Sequence, residues 1–144
     1  MPEADIHQSV ADIGALRQNL ALRLAYVMLY RAFQAQANED EIRSFLHEAL
    51  EEEQGLLARL AQALRRRGQA VNPQPEAGEL LKQFHSRRTP LARLEFLRQG
   101  AIHAAQWYGQ RAGDPSLSRE VRELFAEGAE LQRRRAEHIQ ELMD

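Results

Sequence analysis

No cysteine occurs anywhere in the 144 residues. Disulfide bridges, thiol nucleophiles and cysteine-ligated zinc or iron–sulfur centres are therefore excluded. No apolar run approaches the length that spans a bilayer, and the N-terminal MPEADIHQSVAD lacks the basic-then-apolar order of a signal peptide. The expectation is a cytoplasmic protein with no membrane partner. Nor does one sign of charge prevail: 19 Lys and Arg stand against 21 Asp and Glu, for a net charge of -2. That balance argues against a nucleic-acid partner held by bulk charge. No stretch alternates with the period of two that marks a strand. Nucleophile–base pairs, glycine-rich phosphate loops and Ser/His/Asp sets in a recognisable context are missing too.

What is present is helix-forming: Ala, Leu, Arg, Glu and Gln dominate, and only 6% of residues are aromatic. From about Asp12 to Ala37 an apolar stripe runs through Ile13, Leu16, Leu20, Val27 and Tyr30, with Arg23 inside it. A second stripe, Leu22, Tyr26, Leu29 and Phe33, lies on another face, so this helix must be covered twice. Asn38-Glu39-Asp40 then breaks the pattern and opens a second helix that ends at Arg67-Gly68. Its stripe is Ile42, Leu46, Ala49, Leu56, Leu60 and Leu64, and in the middle of it stands Glu53. A carboxylate aimed at a core is costly unless it is paired or bound to metal. Glu51 and Glu52 read as solvated helix face.

The connection QAVNPQP cannot be regular helix because of its prolines, and Glu76 to His85 forms a short helix presenting Leu80, Leu81 and Phe84. Thr89-Pro90 starts a third long helix, with Leu94, Leu97, Ala101, Ala105 and Tyr108 inward and Phe96, His103 and Trp107 towards another face. It ends near Gly113-Asp114-Pro115. Ser116 or Ser118 caps the last helix, whose stripe is Val121, Leu124, Gly128, Leu131, Arg135, His138 and Leu142. The fold class is all-α: one domain over 1–144, a four-helix bundle with a short disordered N-terminus at about 1–8. A long connection at about 68–88 between helices 2 and 3 traverses the bundle. Arg65-Arg66-Arg67 reads as a cationic last turn favourable to the helix dipole. The second stripe of the first helix, with Phe96 and Trp107, predicts a homodimer. Alternatively, Leu80, Leu81 and Phe84 cover that stripe within one chain.

The segments NLALRLAYVMLY (19–30), FLHEALEEEQGLLARL (45–60), AIHAAQWY (101–108) and LQRRRAEHIQEL (131–142) make the chain resemble the ferritin-like superfamily, closest to rubrerythrin-like proteins. The resemblance implies a ferritin-like bundle. In that family the first and third helices each give a metal-binding Glu a fixed distance before a Tyr, and the second and fourth each give a Glu-x-x-His pair, around two iron ions. Here the position seven before Tyr30 is Arg23, and the position seven before Tyr108 is Ala101. The second helix gives Glu53-x-x-Leu56, or in a shifted register Glu51-x-x-Gln54. The fourth gives Arg135-x-x-His138. Glu53 and His138 alone remain, and no cysteine-rich electron-transfer module accompanies them. The degenerate site predicts no catalytic residue, no metal and no cofactor, and points to a non-catalytic structural or binding module with its small-molecule ligand unspecified. The alternative is an iron-dependent oxidoreductase or iron-handling protein that rebuilds a metal site on Glu53 and His138. An acid–base enzyme with a pocket between helices is a third reading. Arg23, Arg135 and Glu53 are expected to form an inward ionic cluster, with Tyr30, Tyr108 and His138 as hydrogen-bond partners.

Overall fold

The computed structural model describes residues 3–144, with side chains from Gln8 onward. Every element is helical: α1 (Glu3–Gln36), α2 (Asp40–Arg66), α3 (Gly78–Ser86), α4 (Pro90–Ala112) and α5 (Arg119–Met143), with no strand among the described residues. No helix among them is long and apolar enough to cross a membrane. α1 begins nine residues before the expected start at Asp12. No proline or glycine between Glu3 and Asp12 breaks a helix. Of the N-terminus expected to be disordered, Met1 and Pro2 lie outside the described residues.

Local chemistry sets the other ends. Gly68, at φ 74°, takes the left-handed conformation that closes α2. Its N–H donates to the Arg65 carbonyl at 2.9 Å and the Gln69 N–H to the Leu64 carbonyl at 3.1 Å, the paired bonds of a Schellman motif. Glu39 occupies the N-cap of α2 without a side-chain bond, leaving Asp40 and Glu41 to favour that terminus. Thr89 accepts from the Ala92 N–H at the start of α4. Ser118, not Ser116, caps α5 by accepting from the Val121 N–H. Ser116 is held in the preceding turn by Asp114, which accepts from its N–H at 2.9 Å.

α1 pairs closely with α2 and α4 with α5, while α3 lies against α1, and α2 meets α5 along a looser seam. The apolar core falls into two clusters. One joins residues such as Leu29, Phe33, Phe45, Leu46, Phe84 and Leu97; the other joins Leu16, Leu60, Leu64, Tyr108, Val121 and Phe125. Between them lie the buried polar side chains Asn19, Arg23, Glu53, Gln132 and Arg135.

The sequence stripes need correcting on two helices. On α4, Ala104 rather than Ala105 is buried. On α5 the buried line passes through Val121, Leu124, Phe125, Gly128, Gln132, Arg135 and Ile139. Leu131, His138 and Leu142 sit only half-buried at its edge. Leu131 and His138 come one residue before Gln132 and Ile139, roughly 100° around the helix, and Leu142 three residues after Ile139, roughly 60° around it. The second stripe of α1 also divides. Leu29 and Phe33 are fully buried, with the Phe33 ring 5.5 Å from Phe84 of α3, whereas Leu22 is 38% exposed. α3 therefore covers within the chain half of the face on which the dimer expectation rested.

Candidate functional site

Glu53 lies at the centre of the polar layer with no exposed surface, and Arg23 and Arg135 converge on it from α1 and α5. Arg23 Nη1 donates to Glu53 Oε1 at 2.9 Å, Arg135 Nη1 donates to the same oxygen, and Gln132 Nε2 reaches it at 3.3 Å. All three helices supply these groups from interior positions, more than two turns from either end. Each guanidinium also faces an aromatic ring: Arg23 lies 4.7 Å from the Tyr26 centroid and Arg135 5.3 Å from that of Tyr30. Arg135 Nη1 further donates to the Tyr30 hydroxyl at 3.2 Å. Its Nη2 donates to Glu52 Oε1 at 3.2 Å, at the rim of the layer.

Charge explains why the cluster holds together. Two guanidiniums meet one fully buried carboxylate, and the second carboxylate, Glu52, is 38% exposed. Burial pushes the Glu53 carboxyl up, but Arg23 and Arg135, with the hydrogen bonds from Arg135 and Gln132, outweigh it and hold the group below its ordinary value. Burial opposes the charge on Arg135 as well, and Tyr30, Glu53 and Glu52 more than restore it. Arg23 is likewise held charged against burial, chiefly by Glu53. Arg23, Glu53 and Arg135 are thus each held in the charged state near neutral pH. Glu53 Oε2 and the Nε atoms of Arg23 and Arg135 are buried without a hydrogen-bond partner among the described residues.

The other residues singled out in the sequence fare differently. Tyr30 joins the cluster. Tyr108 does not: its hydroxyl donates to Asn19 Oδ1 at 2.7 Å, and burial pushes its phenol up to about 12. Its ring occupies the space in front of Gly128, where an added Cβ would come within 2.9 Å, so only glycine fits there without a shift. Ala101 is buried but brings no polar atom. His138 is not an inner histidine. It packs edge-on against Phe45 at 4.9 Å and lines an outer cleft with Asp40, Glu41 and Glu48.

Three participants escaped the sequence reading: Asn19, Gln132 and Glu52. Gln132 could have been found by placing the α5 stripe on Phe125 and Ile139 rather than on Leu131 and Leu142. A second buried carboxylate, Asp12, was missed altogether. Its Oδ2 accepts from Arg67 Nη2 at 3.1 Å, and its Oδ1 accepts from the Ser118 N–H at 2.8 Å. Arg67, read as a dipole-facing last turn, is therefore an ion-pair partner.

The donor set does not fit a di-iron centre. Oε1 of Glu53 already carries two guanidiniums, and the unpartnered Oε2 belongs to the same carboxylate, within reach of their charge. Bringing a dication beside them would set like charges together in a region without bulk water. Among the described residues no group of three or more His, Asp or Glu side chains is placed to hold a metal ion. What the arrangement can do is electrostatic and mechanical: it fixes α1, α2 and α5 in one register through a desolvated carboxylate. No family model, no curated protein and no solved structure matches this chain.

Proposed function

We propose that this chain is a ferritin-like four-helix bundle, with the connection 67–89 crossing between its second and third long helices, in which an ionic cluster stands where that family holds iron. In this reading it is a non-catalytic structural or binding module. The observation that carries it is the meeting of Arg23 and Arg135 on a single oxygen of Glu53. These are the positions at which the family resemblance asks for carboxylates, so the repulsion that metal would otherwise relieve is neutralised by the chain itself.

A rebuilt metal site on Glu53 and His138 loses its support, because His138 faces an outer cleft while Glu53 lies inside the polar layer. Elemental analysis of protein purified after iron-supplemented expression tests the reading. The expected outcome is far less than one transition-metal ion per chain. Two irons per chain with a carboxylate-bridged absorption spectrum would overturn it and restore the oxidoreductase.

A further inference from the structure

The loose seam between α2 and α5 is a continuous groove, and its chemistry is independent of the family reading. At one end Asp40, Glu41, Ser44, His138 and Leu142 border a cleft of about 380 Å³. Through Phe45 and Glu48 it joins a smaller space beside Arg135. Through Glu52, Leu131 and Arg134 that space opens into a third section of about 480 Å³. From Asp40 to Arg59 the α2 wall is about 28 Å long, some five helical turns.

Two glycines lower the walls of the wide section. Gly128 is required by the Tyr108 ring beneath it. Gly55, exposed in the interior of α2, has nothing within 4 Å of where a Cβ would stand, so no packing inside the chain explains it. The floor is apolar, with Phe45, Leu56, Leu131 and Leu142. The walls carry six carboxylates, Asp40, Glu41, Glu48, Glu52, Glu127 and Glu130, against Arg59 and Arg134 and, in the middle section, the inward-bonded Arg135. Glu52 is bonded inward to Arg135, Glu127 across the groove to Arg59, and Glu130 to Arg133. Asp40, Glu41 and Glu48 meet no cation in an ion pair among the described residues, and α5 ends beside them with no basic residue in its last turn. The negative potential therefore gathers at that end.

We propose that this groove docks a cationic amphipathic helix of a partner protein. The helix would lay an apolar stripe on the leucine and phenylalanine floor and its most basic end over Asp40, Glu41 and Glu48.

The test uses the full chain and three labelled peptides of about 18 residues, close to the groove in length as helices. They are a Lys–Leu peptide with a continuous apolar stripe, the same peptide with Glu for Lys, and a shuffled Lys–Leu peptide without a stripe. Fluorescence anisotropy should show binding of the first alone at up to about 100 µM, weakened at least about tenfold by Gly55→Leu, which fills the groove, and by Glu48→Lys. The thermal midpoint of Gly55→Leu should equal or exceed that of the parent, since leucine is the better helix former. Equal binding of the shuffled peptide, undiminished binding by Gly55→Leu, or no binding at all would overturn the proposal. So would light scattering showing that Gly55→Leu splits a dimer, because a second copy would then be the occupant. None of these outcomes bears on the metal analysis, so the two readings fail separately.

Discussion

Asp12 and Glu53 are buried alike, at 2% and 0% exposure, and each links α1, α2 and α5. Their surroundings differ. Asp12 uses both oxygens, one towards the Ser118 N–H at the positive end of α5 and one towards Arg67. Arg67 keeps 14% of its side chain exposed and has further acceptors in the Ala63 carbonyl and Glu120. Glu53 crowds two guanidiniums and an amide onto Oε1 and leaves Oε2 without a partner. The first is a helix cap at the end of the fold, with water close by. The second is a charge layer inserted between two apolar clusters. A buried carboxylate near an end can be satisfied by backbone and by a flexible cation, whereas one at the centre must be met by charge the chain also buries.

The contrast is sharpest when each carboxylate is removed. Glu53→Ala leaves Arg23 with no carboxylate among the described residues, while Arg135 keeps Glu52. We expect a loss of about 3–5 kcal/mol, read by denaturant unfolding near neutral pH. The effect must depend on acidity. Because the folded-state pKa of Glu53 lies below its ordinary 4.5, the stability it contributes is complete above that value. It drains as pH falls through the lowered folded-state value. The gap between the parent and Glu53→Gln should therefore narrow as pH falls below 4.5, with the parent doing the falling. A gap that stays constant would mean that the Glu53 charge is not what stabilises.

Asp12→Ala should cost less, about 1–3 kcal/mol, since it frees one backbone N–H and a guanidinium that can turn to water or to Glu120. Equal losses at the two sites would erase the distinction between end and centre.

How far the sequence reveals these layers follows from the same physics. Gly68, Thr89-Pro90 and Ser118 mark ends because backbone geometry and capping demand those residue types locally. Glu53 stands out because a carboxylate interrupts an otherwise apolar stripe, and the resemblance directs attention to Arg23 and Arg135. Asp12 is illegible: a polar residue near a helix start looks like surface, and its partner is 55 residues away. α5 misleads for another reason. Its stripe includes Gly128, Gln132 and Arg135, so hydrophobicity alone cannot decide between Leu131 and Leu142 on one side and Phe125 and Ile139 on the other. Leu80, Leu81 and Phe84 are legible as a cover for the second stripe of α1, but the choice between that cover and a second copy rests on the contact between Phe33 and Phe84, which no local pattern encodes.

Tyr108→Phe probes the edge of the central layer. It removes the bond to Asn19 but leaves the ring packed on Gly128 and 5.6 Å from Phe125. A loss of about 1 kcal/mol is expected, with a further small cost for the unpaired Asn19. A loss matching that of Glu53→Ala would draw Tyr108 into the ionic cluster after all.

The largest substitution should change stability little. Replacing Arg23, Glu53 and Arg135 together by Met, Leu and Met keeps the volume of the layer and removes every charge whose desolvation opposes folding. The two apolar clusters could then merge across it, each newly buried side chain contributing about 1.5–3 kcal/mol. Against this, the Gln132 amide and the Tyr30 hydroxyl lose their partners, at about 1–3 kcal/mol each. The net change should fall within about 1–2 kcal/mol of zero, far from the loss caused by Glu53→Ala alone. Unfolding of the single and triple variants under one set of conditions decides it. A triple variant as unstable as Glu53→Ala would mean that the cluster itself stabilises the fold, and that the centre is held by its ion pairs as directly as the end is held by Asp12.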